Sequence, residues 1–372
     1  MLDSPRISSA VKHLLALFLL LALPVLAEPS PEPVLVKGKP PALEALPVNV
    51  KPSERDEVVR MQIYLDEKLC GPGFIDGKAG NFSTRAAYAY NRSRGRAPDA
   101  WDALMRDVEA HVGETYATAV VPEVAREYVN PELPRSRAGQ AKMKQMSYRS
   151  YYEFMAERYH TSEDFLIELN SKSTVWNLKP RKALVVPNVD PFLIENFKAG
   201  RTWKEDPVLS DRTVIIDTNS NQIFIYGPGS GPKVAGTNAA SIIVEDAEDE
   251  AEAHRKLLAV FPITPGRRQF IHHGTWAIKN SVAFPTWSYD KQFLETGVRS
   301  KNESAILNIP GGPNNPIGVI WNGLTKSGIG IHGTSSPRTI GRSVSAGCIR
   351  LSNWDAGRFP DLVRPGAKAV IR

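Results

Sequence analysis

The sequence predicts a mainly β C-terminal domain with one or two short helices, preceded by two small modules, one α-helical and one α+β. Three observations lead there. From Arg212 onward, β-branched runs alternate with glycine- and proline-rich turns; helix-like apolar spacing is concentrated in two stretches of the N-terminal half; and a proline-rich segment with neither period precedes both. With 372 residues, 42% hydrophobic and 8% aromatic, the chain is long and apolar enough to bury separate cores. That composition excludes disorder throughout. The formal net charge of +6 is small for the length, and its lysines and arginines are scattered. This gives no case for a nucleic-acid partner and fits loose attraction to an anionic envelope.

Taken in chain order, Arg6 and Lys12 precede an apolar run from Leu14 to Leu23, followed by Pro24 and the small residue Ala27. These are the charged, apolar and cleavage regions of a secretory signal, assigned to residues 1–27. The run is shorter than the roughly 20 residues a membrane-spanning helix needs. An uncleaved anchor is the alternative, since the cleavage pattern departs slightly from the ideal. The expected destination is the periplasm or cell wall. Residues 28–56, proline-rich and aperiodic, read as an extended tether.

Residues 57–110 read as the helical module. Val58, Met61, Ile63 and Leu65 mark a helix closed by Gly71-Pro72-Gly73, and Phe82 to Tyr90 mark a second, begun at Ser83 or Thr84. The loop between them contains Asp76, Gly77 and Gly80, and in this it is similar to the small peptidoglycan-binding module built from a helix, a D-G-x-x-G loop and another helix. Residues 140–190 read helix, turn, helix, turn, strand, with Ser162 as a cap and His160 at a helix end. Through Glu153, Ala156 and Tyr159, Leu169-Asn170, and Leu184 to Asn188, they resemble a LysM unit, which implies binding to glycan strands.

The β domain, 211–372, opens with a hairpin around Asn219 to Asn221. Further strands are expected near Ile242–Val244, Thr275–Lys279, Gly318–Trp321, Gly330–His332 and Lys368–Ile371. The acidic run Glu245 to Lys256 reads as a solvated insertion, and Asn353–Val363 as the domain's best helix. Trp287, Tyr289 and Trp321 read as packing residues.

Only Cys70 and Cys348 carry thiols, and Cys348 lies in Ser345-Ala346-Gly347-Cys348-Ile349-Arg350. A disulfide between the two is the single pairing available in an exported chain, but it would join different domains and silence a cysteine set for exposure. A thiol becomes a nucleophile when a base takes its proton. His332, at the end of a short apolar strand and followed by Gly333-Thr334, is held by sheet backbone and suits that role. Gly347 permits a tight turn that lets backbone amides converge on an oxyanion. Arg350, two positions past Cys348 on an extended segment, shares its face and could clamp a carboxylate. A zinc site from His272, His273, His332 and Cys348 is a poorer reading, because adjacent histidines diverge on a strand. No metal and no cofactor is expected.

At these residues the stretch from about Asp211 to Arg372 resembles the catalytic domain of the L,D-transpeptidases, the YkuD family, through His332-Gly333-Thr334 and Ser345 to Arg350. Ile309 to Trp321 resembles that family's proline-rich segment. The resemblance implies a β-sandwich and an acyl transfer on peptidoglycan stem peptides. Cys348 would act as nucleophile, His332 as base oriented by the Gly333 carbonyl, and Gly347 in the oxyanion turn, with Ser345, Thr334 and Arg350 binding substrate. The acceptor would be an amine of a second stem or of an envelope lipoprotein. One departure is Ala346, where many members have histidine. It leaves open an inactive domain that only binds the wall, while an L,D-carboxypeptidase, which would share every one of these residues, is the nearer alternative.

Overall fold

Three acidic residues, Glu54, Asp56 and Glu57, open the first helix, where carboxylates favour the positive end of the helix dipole. The computed structural model describes residues 54–227, 256–296, 298–342 and 347–372. The secretory signal, the tether up to residue 53, the strand at Ile242–Val244, the acidic run and the pair Ser345-Ala346 lie outside the described residues. Helix α1, Glu54–Glu67, begins three residues before the expected start. It is followed by α2, Asn81–Ser93, and α3, Trp101–His111. The buried amide of Gln62 organises the intervening loop: its Oε1 accepts from Asp76 N and Gly77 N at 2.9 Å each, and its Nε2 donates to Ser83 Oγ at 3.1 Å. Gly77 stands at φ +70°, and a Cβ there would meet the Arg55 side chain at 2.5 Å. The glycine is therefore fixed by backbone conformation and space together.

The LysM-like stretch contains α4, Tyr151–Arg158, and α5, Glu163–Asn170, each begun by a serine whose hydroxyl accepts a backbone N–H three residues on. Its strand, β2 (Ala183–Pro187), pairs antiparallel with β1 (Tyr116–Val120), a segment outside 140–190 that the sequence pattern did not single out. Asn170 ties α5 to β2 by exchanging two hydrogen bonds with Val185, at 2.7 and 2.6 Å.

The remaining chain forms β3 (Thr202–Trp203), β4 (Thr213–Asp217), β5 (Gln222–Tyr226), β6 (Leu257–Pro262), β7 (Gly274–Ala283), a small β8–β9 ladder (Trp287–Tyr289 with Leu307–Ile309), β10 (Ile320–Leu324), β11 (Gly330–His332), β12 (Ile349–Arg350) and β13 (Lys368–Ile371). Nine of these strands form one curled sheet, in the order β12-β11-β10-β7-β13-β4-β5-β6, with β3 also paired to β7. The two layers share a strand. The first part of β7, Gly274 to Ala277, pairs with β13, while Ile278 to Ala283 pair with β10. Helix α6, Asn353–Leu362, is capped by Ser352, whose Oγ accepts from Asp355 N at 3.2 Å.

A buried polar cluster joins all three parts. Arg358 on α6 donates to both oxygens of Asp66 on α1, at 3.0 and 2.6 Å, and His160 Nδ1 lies 2.9 Å from Asp66 Oδ2. The His160 ring stacks on Trp354, with centroids 5.5 Å apart and planes 13° apart. His160 does end a helix, as its position suggested, but it also serves as a bridge. Around this cluster the main hydrophobic core runs from α1 to β13, with a smaller second cluster at Leu133, Met146 and Ile309.

Candidate active site

Strands β11 and β12 run parallel, with Ile331 opposite Ile349 and His332 opposite Arg350. Side chains alternate along a strand, so the buried pair Ile331 and Ile349 face the core. His332, Arg350 and Cys348, the last two residues apart, then share the other face. This juxtaposition comes from register alone: segments sixteen residues apart in the chain are placed side by side.

His332 is 3% exposed, and its Nδ1 lies 2.6 Å from the carbonyl oxygen of Gly333. A carbonyl can only accept, so Nδ1 carries the proton and Nε2 keeps the lone pair of a base. The ring stacks on Trp321, centroids 5.5 Å apart and planes 20° apart. A Cβ on Gly330 would lie 2.6 Å from that indole, so glycine is what lets Trp321 sit there. Burial lowers the His332 pKa to about 4; the Gly333 carbonyl works against this shift and the Arg350 charge adds to it.

Cys348 is partly exposed, and its Sγ donates to the Gly328 carbonyl at 3.5 Å. Burial raises its pKa, opposed by a backbone hydrogen bond from Gly330 and by Arg350. With the imidazole easy to deprotonate and the thiol hard to ionise, the resting pair is neutral. Gly347 sits at φ +109°, a conformation that favours glycine, and a Cβ on the neighbouring Gly266 would fall 2.5 Å from Gly347 Cα. On its far side β12 is pinned by Thr264, which exchanges two 3.0 Å backbone bonds with Arg350. The Arg350 Nε is buried without a hydrogen-bond partner among the described residues.

Thr334 is buried, and its Oγ1 accepts from Ser336 N at 3.2 Å, which shapes the turn after Gly333. Ser345 lies outside the described residues. The backbone carbonyl of His272 accepts from Trp276 Nε1 at 3.1 Å. Among the described residues no three His, Cys, Asp or Glu side chains gather as a metal site, so the zinc arrangement is not assembled there. Cys70 is buried and its thiol is pushed up to about 12 by that burial, and no disulfide joins it to Cys348.

Sequence reasoning missed Trp321 as a neighbour of the base, along with Thr264, Gly266 and Asn353. Each comes from a segment distant in the chain, where no local period reports it.

Residues 211–371 match the family profile described as the YkuD L,D-transpeptidase catalytic domain. They form a YkuD-type catalytic domain. The YkuD protein of Bacillus subtilis strain 168 is 41% identical to this chain over 69 residues, covering 18% of this chain and 42% of that protein. The ErfK/SrfK protein of Escherichia coli K12 is 33% identical over 116 residues, covering 30% and 36%. The chain thus spans less than half the length of the curated relatives it matches. Among solved structures, an L,D-transpeptidase from Mycobacterium smegmatis is similar at 13% identity and a TM-score of 0.30, covering 53% of this chain and 76% of that one.

Proposed function

We propose that the YkuD-type domain is a peptidoglycan L,D-transpeptidase acting through Cys348 and His332. The observation that supports this reading most is the β11–β12 register, which pairs His332 with Arg350, two positions from Cys348, while His332 Nδ1 lies against the Gly333 carbonyl. Nε2 of His332 takes the thiol proton as Sγ attacks the carbonyl of the third stem residue. The carbon–nitrogen bond to the terminal D-alanine breaks, a thioester forms, and the imidazolium returns its proton to the leaving amine. An acceptor amine then attacks the thioester, the carbon–sulfur bond breaks, and an amide cross-link remains. That acceptor is a second stem or an envelope lipoprotein. Amides around Gly347 and Cys348 receive the oxyanion, and the guanidinium of Arg350, on the same face as Cys348, suits a substrate carboxylate. No cofactor enters these steps. The Arg6/Lys12, Leu14–Leu23 and Ala27 pattern supports a reaction in the periplasm or wall, and the D-G-x-x-G and LysM-like parts support a grip on glycan.

The test is incubation of the full chain with a purified disaccharide tetrapeptide, followed by mass spectrometry. The expected products are a cross-linked dimer and D-alanine. Tripeptide without dimer would favour the carboxypeptidase reading, and neither product would overturn catalysis on stems.

The pH dependence has a defined sign. Because burial holds His332 near 4, the base stays unprotonated through the neutral range. D-alanine release should be level there and fall only as pH drops toward that value. A fall centred near 6.5, the ordinary histidine value, would show that the base is not the buried His332.

A further inference from the structure

The carboxamide of Asn353 lies beneath the strand that carries the base. Its Oδ1 accepts from Val319 N at 3.1 Å, and its Nδ2 donates to Glu157 Oε1 at 3.0 Å, Oε2 at 3.1 Å and Pro313 O at 3.2 Å. Two glycines make room for it. A Cβ would fall 2.2 Å from Oδ1 at Gly333 and 2.3 Å from it at Gly318, and Gly318 stands at φ +62°. Asn353 thus packs against the residue whose carbonyl holds His332 Nδ1.

A helix-capping role does not account for this side chain, because Ser352 already caps α6. An ion pair does not account for Glu157 either. It is 7% exposed and takes its hydrogen bonds from neutral groups, Asn353 and the Tyr148 hydroxyl at 2.5 Å. Glu153, Glu163 and Arg338 line the same cavity of about 130 Å³; Arg338 pairs with Glu163, and the charge of Glu153 works against ionising Glu157. Burying a carboxylate this way is costly, and burial raises its pKa to about 8. Structural economy alone would favour an apolar residue.

We propose that Asn353, held by Glu157 of the LysM-like part, is a positioning residue that fixes Gly333 and so aims His332 at Cys348. The LysM-like part then completes the active site in addition to any grip on glycan. This inference rests on the reading of His332 as the base for Cys348, and the test separates the two.

The experiment uses the full chain and measures the alkylation rate of Cys348 by iodoacetamide across pH, together with kcat and KM for D-alanine release and the thermal midpoint. His332→Gln serves as the reference. If it leaves alkylation unchanged, the base reading falls and this inference with it. If it changes alkylation, Asn353→Ala is expected to shift the alkylation profile in the same direction and lower kcat about ten- to hundredfold, with KM little changed. Glu157→Gln keeps the volume but replaces one of the two oxygens near Asn353 Nδ2 with an amide nitrogen that can only donate, and it covers the case in which Asn353→Ala fails to fold. It should do the same to a lesser extent. Combining Glu157→Gln with Asn353→Asp exchanges donor and acceptor and should recover part of the loss. Variants that lower only the thermal midpoint, with alkylation and kcat as in the wild type, would overturn the positioning role.

Discussion

Cys348→Ala should abolish D-alanine release and cross-linking, a fall on the order of 10⁵- to 10⁶-fold in kcat, while leaving the protein folded. No other thiol can substitute, since Cys70 is buried and its thiol is held protonated by that burial. The fold should tolerate the change. Alanine retains the Cβ, Cys348 is only partly buried, and the turn is made by Gly347 rather than by the cysteine. The expected stability change is within about 1 kcal/mol, as for most partly exposed sites. Circular dichroism and the thermal midpoint check the fold, and mass spectrometry checks the products. Undiminished turnover by this variant would remove the nucleophile assignment.

Arg358→Ala should be the most damaging single change away from the active site, destabilising the protein by about 3–5 kcal/mol. Asp66 is wholly buried, and burial alone would raise its pKa; Arg358 and His160 together bring it well below the usual carboxylate range. Truncating the arginine leaves a buried carboxylate with the His160 imidazole, whose pKa burial lowers, as its remaining partner. Lysine would not restore the site, because one ammonium cannot match the two-pronged contact. Acid should act in the same direction. Since the folded pKa of Asp66 lies below its ordinary 3.8, its contribution is complete above that value and is lost as pH falls through the folded value. Asp355 acts oppositely: burial raises its pKa from 3.8 to about 7, so it costs stability as pH rises across that interval. Urea denaturation of the wild type and variant, at neutral and acid pH, measures both effects. A variant as stable as the wild type would show that the cluster is not a clasp between the three parts.

How much was legible in the sequence depends on how far each signal reaches along the chain. The helices around Val59–Leu65 and Phe165–Leu166, and the hairpin at Asn219–Asn221, announce themselves because their periods and caps lie within a dozen residues. Cys348, His332 and Arg350 were legible as chemistry, and their common face follows once β11 and β12 pair. The partner of β2 was not legible, because Tyr116–Val120 is a short run whose role depends on a strand more than sixty residues later. Asn353 and Glu157 were hidden for the same reason. An asparagine after a helix cap and a glutamate on a helix are both commonplace locally, and only folding sets one against the other under Gly333.

The ten-residue strand β7 belongs to both halves of the sheet. The two halves hang on successive segments of one continuous strand, so melting of either is resisted by the other. The wall that carries the histidine should therefore open only with the whole domain. Its amides should exchange with solvent as slowly as those of the deepest core, and the reacting pair inherits the rigidity of that cooperative unit.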